Sequence, residues 1–126
     1  MGLIRVEDLR KVYRVDQEKI VALSRINLTV ASGEICCILG TSGSGKSTLL
    51  NIMAGLEKPS KGRVVIDDVE VTALSEKDLA LFRQKNIGFV FQSYNLMPTL
   101  SAIENVAMPL MFRGISKDQR NREAVK

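Results

Sequence analysis

The chain has 126 residues, room for one domain of modest size, and its 45% apolar and 25% charged content excludes a disordered polymer. Its 18 basic and 14 acidic residues leave a net charge of +4, much of it in residues 113–126, where five basic residues face two acidic ones; that pattern reads as a solvated helix face, and no nucleic-acid partner is expected. No apolar run approaches the roughly 18 residues of a membrane span, and histidine is absent, which removes imidazole acid–base chemistry and imidazole metal ligation.

The opening Met1-Gly2-Leu3-Ile4-Arg5-Val6 has no signal-peptide core, and Val6 stands where a myristoylation signal needs Ser or Thr, so the chain reads as neither secreted nor membrane-spanning. Residues 3–13 then read as a strand, with residues 19–23 and 26–30 as two short ones, the second alternating Ile26, Leu28 and Val30. Gly33 turns the chain into residues 34–39, whose unbroken apolar core suits a strand buried on both faces of a parallel sheet. Cys36 and Cys37 sit in that run, spaced for neither a disulfide framework nor a zinc pair, and are expected as small buried hydrophobes in a reducing cytoplasm.

A Gly/Ser loop over residues 41–45 leads into a helix over residues 46–54, closed by Gly55. Pro59-Ser60-Lys61-Gly62 turns into a strand over 63–66, and Asp67-Asp68 forms a hairpin tip returning through Val69-Glu70-Val71. Ser75 caps a helix carrying Leu79, Leu81 and Phe82, and residues 87–91 form another compact apolar strand. Ser101 with Glu104, and Ser116 with Gln119, have the spacing of capping boxes.

The chemistry concentrates in Gly40-Thr41-Ser42-Gly43-Ser44-Gly45-Lys46-Ser47, which matches G-x-x-x-x-G-K-[ST]. Glycines let the backbone curl with its N–H groups inward at a helix N-terminus, making a concave anion site. Lys46 brings a point charge to the β- and γ-phosphates, and the Ser47 hydroxyl is placed to ligate Mg²⁺. At average residue frequencies the pattern arises by chance in a chain of this length with probability of order 0.4%. A buried-strand pattern before it and a helix pattern after it complete the context for a nucleotide-phosphate site.

Beyond this loop the chain resembles the ATP-binding subunits of ABC transporters, from about Leu3 to about Ser116. The resemblance implies an α/β P-loop NTPase fold, with a RecA-like core and an antiparallel β subdomain, as one partial domain over residues 1–126. It places Tyr13 as the aromatic that stacks on adenine, and it adds Thr48 to the nucleotide-binding set of Gly40, Thr41, Ser42, Gly43, Ser44, Gly45, Lys46 and Ser47. Ile87-Gly88-Phe89-Val90-Phe91-Gln92 resembles the family's strand and Q-loop, so Gln92 is expected to reach Mg²⁺ and the attacking water, with Lys46 as the other catalytic group. Residues 93–106 are similar to the region that meets a membrane permease, with Tyr94, Leu96 and Met97 as the contact; this segment and Met111-Phe112-Arg113-Gly114-Ile115 are similar to the lipoprotein-release and macrolide-export type. The implied partners are that permease and a second nucleotide-binding subunit in a head-to-tail dimer; the implied cofactors are ATP and Mg²⁺, and the implied location is peripheral, on the cytoplasmic face of the membrane.

The family's Leu-Ser-Gly-Gly-Gln signature, acidic strand motif and switch histidine are absent from these 126 residues, so the chain reads as the N-terminal half of such a subunit, truncated before the second half of the sheet. Two expectations follow: weak Mg·ATP binding with little or no hydrolysis, and marginal solubility from an incompletely covered sheet. A non-hydrolysing nucleotide-binding remnant or regulatory module, and a P-loop enzyme of another class such as a small-molecule kinase, are the alternatives.

Overall fold

A computed structural model describes residues 3–126; Met1 and Gly2, on which the reading of the chain start partly rests, lie outside the described residues. The chain divides into two compact units, Met1–Arg83 and Gln84–Lys126.

The first unit is built on a four-stranded antiparallel sheet of order β2-β1-β3-β4, formed by β1 (Ile4–Val15), β2 (Glu18–Val30), β3 (Lys61–Ile66) and β4 (Val69–Glu70). The two short strands expected over 19–30 are one continuous strand, paired with β1 from Val15↔Glu18 to Ile4↔Val30 through three register irregularities. Asp67 and Asp68, at φ 48° and 61°, form the β3–β4 tip in the doubly left-handed geometry of a tight hairpin. Arg5 reaches Asp68 at 3.3 Å and helps fix that tip.

One helix covers this sheet. In α1 (Lys46–Met53), Leu49 and Ile52 are spaced three apart on one face and are both buried. They join Val6, Leu9, Leu23 and Val64 in a single core cluster, in which Leu9, Ile52 and Val64 are fully enclosed. Each such side chain contributes about 1.5–3 kcal/mol on leaving water. The helix ends at Gly55, where Leu56 N–H donates to the Asn51 carbonyl at 2.8 Å in a Schellman pattern. A 3₁₀ turn at Val71–Ala73 leads to α2 (Glu76–Asn86), whose start is capped by the Ser75 hydroxyl accepting from Asp78 N–H at 3.2 Å.

The second unit carries α3 (Ala102–Phe112) and α4 (Lys117–Ala124). The capping box at α3 forms as expected: Ser101 Oγ accepts from Glu104 N–H, and Glu104 Oε2 accepts from Ser101 N–H at 2.8 Å. The box expected at Ser116 does not, because no side-chain cap bond is made there. No residue of α4 is buried, as befits a solvated charged helix.

Three expectations fail in the two apolar runs. Residues 34–39 and 87–91 form no strand, and among the described residues neither has a strand partner. Ile35 and Leu39 are each 91% exposed and Val90 is 95% exposed. Cys36 and Cys37 are exposed free thiols rather than buried packing. The physical reason is shared: an interior parallel strand gets its hydrogen bonds and its cover from neighbouring strands and flanking helices, and the described sheet is a purely antiparallel one formed elsewhere. Ile38 alone of the first run packs against the core cluster.

Candidate functional site

Gly40 to Ser44 form an exposed loop that delivers the chain to α1. Gly45 is the N-cap residue, left-handed at φ 90°, and a Cβ there would lie 2.4 Å from the Ala22 carbonyl oxygen and 3.0 Å from Leu23 Cδ2. The loop can therefore press against β2 only because position 45 lacks a side chain. A Cβ at Gly40 would meet Ser44 Oγ at 2.6 Å, so the loop closes tightly on itself as well.

This helix start is unusual in having nothing of its own to neutralise it. Gly45 offers no side-chain cap, and the first turn holds no acidic residue. The N–H groups of the first turn have no intrahelical acceptors, and the helix dipole adds about half a positive charge there. Lys46 Nζ adds a full one, held at the loop by the carbonyls of Gly40 at 2.9 Å and Thr41 at 2.6 Å, with Ser44 Oγ at 3.4 Å. Ser47 is exposed at the next position. Curled amides, an uncapped helix end, one ammonium and one hydroxyl are a donor set for a phosphate chain carrying a hard cation, and a Cβ-free cradle leaves room for it.

Tyr13 is half-buried on β1, and its hydroxyl donates to Glu57 Oε2 at 2.9 Å and lies 3.4 Å from Thr48 Oγ1 on α1. The structure thus brings Tyr13 and the phosphate-loop helix together. Lys11 binds Glu57 at 2.8 Å, donates to the Lys58 carbonyl at 2.7 Å, and places its ammonium 5.1 Å from the centre of the Tyr13 ring. Burial pushes the Glu57 carboxyl up, but the Lys11 ammonium and the Tyr13 hydroxyl outweigh it and hold the group below the usual carboxylate range. Lys11 and Glu57 were not legible as site residues, because no motif marks them; the only signal was the alternation that puts Lys11 and Tyr13 on the same strand face.

Gln92 belongs to the second unit, in an exposed turn. There Tyr94, Leu96 and Met97 are 80%, 65% and 49% exposed. Asn105 on α3 fastens the following segment: its Oδ1 accepts from Met97 N–H at 2.8 Å, and its Nδ2 donates to the carbonyls of Met97, Leu100 and Ser101. The spacing from Met97 to Asn105 gave no hint of that clamp. Among the described residues, no helix is long and apolar enough to cross a membrane.

The chain is similar to known proteins along most of its length. The ABC transporter family profile matches residues 23–126. The lipoprotein-releasing system ATP-binding protein LolD of Bordetella pertussis is 45% identical over 121 residues, covering 96% of this chain and 52% of its own. The macrolide export ATP-binding/permease protein MacB of Syntrophobacter fumaroxidans is 44% identical over 124 residues, covering 98% of this chain and 17% of its own. A solved ATP-binding cassette, a dimer in a post-hydrolysis state with ADP and Pi, superposes with a TM-score of 0.92 at 42% identity, covering 97% of this chain and 54% of that one. The chain spans about half the length of most of the curated relatives it matches. With a phosphate loop at the head of α1 and likeness along nearly its whole length to cassettes of this kind, the chain belongs to the ABC transporter family as a P-loop ATP-binding cassette sequence.

Proposed function

We propose that this chain provides the Mg·ATP-binding part of an ATPase subunit that couples ATP binding and hydrolysis to export or release of a substrate through a membrane permease. The observation that carries this reading is the uncapped, acid-free start of α1, with Lys46 held at the loop mouth by two carbonyls. In this reading the loop from Gly40 to Gly45, with Lys46, Ser47 and Thr48, holds the phosphates, Ser47 supplies one Mg²⁺ ligand, and Tyr13 stacks on the base. Mg²⁺ bound in this way takes most of its ligands from phosphate and water, so it needs no cluster of protein carboxylates. Gln92 would orient the attacking water through a neutral amide. Tyr94, Leu96 and Met97 form the permease contact, which their exposure and the Asn105 clamp support, and a second cassette completes the catalytic site head to tail. That arrangement puts the subunit peripherally on the cytoplasmic face.

The test is titration of the purified chain with a fluorescent ATP analogue, with and without Mg²⁺, alongside phosphate release. Binding should be Mg²⁺-dependent and weakened at least about tenfold by Lys46→Ala, since a charge-assisted contact to phosphate is worth ~1.5–3 kcal/mol. Phosphate release should stay near background. Binding that ignores Lys46→Ala would sink the site; Mg²⁺-dependent turnover by the pure chain, abolished by Lys46→Ala, would sink the claim that 126 residues do not suffice for hydrolysis.

A further inference from the structure

The outer face of the antiparallel sheet carries four cations that no carboxylate answers among the described residues. Arg10, Arg14, Lys19 and Lys61, with Val12 and Ser60, line one concavity of about 390 Å³. The ladder places Arg10 directly opposite Lys61 across β1/β3, and Arg14 directly opposite Lys19 across β1/β2. Like charges facing one another across strands destabilise a sheet. The same β1/β3 ladder avoids this three residues earlier, where Glu7 faces Arg63 and the two side chains meet at 2.6 Å. Elsewhere in the unit Arg5, Lys11, Arg25 and Lys58 all have carboxylate partners within 3.6 Å. Among the described residues, none of the four cations of the concavity enters an ion pair.

The arrangement is also well supported from below. Ser60 Oγ accepts from Val12 N–H at 3.0 Å, and Ser60 N–H donates to the Arg10 carbonyl at 2.8 Å, which fixes the turn before β3 against β1. The sites of Arg10 and Arg14 are four residues apart on one strand, a separation of ~13 Å. Two cationic pairs at that spacing match a ligand with more than one anionic centre better than a single monovalent ion. The concavity is separate from the α1 site, because Lys11 and Tyr13 alternate with these residues along β1 and turn instead toward Glu57 and Thr48.

We propose that this face is a second anion site, apart from the phosphate loop, that takes a group bearing two or more phosphates, as found in soluble polyphosphates and in multiply phosphorylated lipid headgroups. Binding such a group turns two repulsive cross-strand pairs into two clamps.

The test uses the whole chain carrying Lys46→Ala, so that the phosphate loop does not dominate, with inorganic tripolyphosphate as probe, read by calorimetry and by melting temperature. Saturable binding that raises the melting temperature is expected. Arg14→Gln with Lys61→Gln should bind about tenfold more weakly, at under 1 kcal/mol per exposed contact, yet melt no lower than its parent in the absence of probe. If that double variant fails to fold, Lys61→Glu, which sets a carboxylate opposite Arg10, should show the same loss. Vesicles of phosphatidylcholine with phosphatidylinositol bisphosphate distinguish the sources. Co-sedimentation that needs the same residues assigns the site to a lipid headgroup; binding of tripolyphosphate alone assigns it to a soluble ligand. No saturable binding, undiminished binding by the variants, or tighter binding of a single-stranded DNA oligomer than of tripolyphosphate would each overturn the proposal.

Discussion

Replacing Gly45 by alanine separates two reasons why a phosphate loop needs glycine. The residue stands at φ 90°, where an L side chain costs about 1–2 kcal/mol. A Cβ there would also sit 2.4 Å from the Ala22 carbonyl oxygen, far inside the ~3.5 Å at which a non-bonded carbon gains contact energy. The obstacle is backbone, not the tip of a flexible side chain, so either β2 or the start of α1 must move. Displacements of that kind in a packed region cost about 1–3 kcal/mol. Alanine returns about 0.4–1 kcal/mol by restricting the unfolded chain, which leaves a net loss of about 2–4 kcal/mol. Gly43 is the control: it has φ 77°, but a Cβ there meets nothing within 4 Å. Gly43→Ala should therefore cost ~1 kcal/mol or less, from the backbone conformation alone. Urea unfolding followed by far-ultraviolet circular dichroism measures both, and the difference of about 2 kcal/mol belongs to the contact with β2. Equal losses for the two variants would show that the approach to Ala22 carries no energy and that the reasoning is wrong.

Glu57, held below the usual carboxylate range, stabilises the first unit at pH above the ordinary value of ~4.3, and that contribution disappears as pH falls through its lowered value. Tyr13→Phe removes one of the donors that lower it and brings the folded value nearer the unfolded one, so the fall in melting temperature on acidification should be smaller and finish at higher pH than in the parent; coincident profiles would contradict the network. Ser101→Ala should weaken α3 by ~1 kcal/mol, whereas Ser116→Ala should leave α4 unchanged, because only the first hydroxyl makes a cap bond. Amide hydrogen exchange along the two helices distinguishes them. Both thiols of Cys36 and Cys37 should react with Ellman's reagent in the folded chain without denaturant, and protection of either would show that residues 34–39 are covered.

What could be read from the sequence, and what could not, follows the range of the interactions involved. The Asp67-Asp68 tip, the start of α1 and the Ser101 box depend on neighbours a few residues away, and local chemistry specified them. The Ser116 box shows the limit of that rule, since spacing permits a cap without enforcing one. The Tyr13–Glu57 bond spans 44 positions and the Lys11–Lys58 bond 47, and neither has a pattern that announces it. They exist because the β1–β2 hairpin and α1 share one core.

The exposed runs carry the same argument further. Ile35, Leu39 and Val90 have the composition of a buried strand and the exposure of a loop. Composition expresses what a segment can bury, whereas burial requires something to cover it, and no strand among the described residues pairs with these runs. The phosphate loop lies at the end of one of them, so the loop has two supports of different strength. Its C-terminal side rests on the packed contact of Gly45 with β2 and on Leu49 and Ile52 in the core. Its N-terminal side rests on a run held to that core through Ile38. The Lys46 bonds to the carbonyls of Gly40 and Thr41 tie the weaker side to the stronger one. A phosphate chain that draws Lys46 away from those carbonyls must replace them as the tie. Nucleotide should therefore order residues 34–41 more than residues 46–53, which hydrogen exchange with and without Mg·ATP would show as protection gained on the N-terminal side of the loop; equal gains on both sides would mean that the loop was rigid throughout.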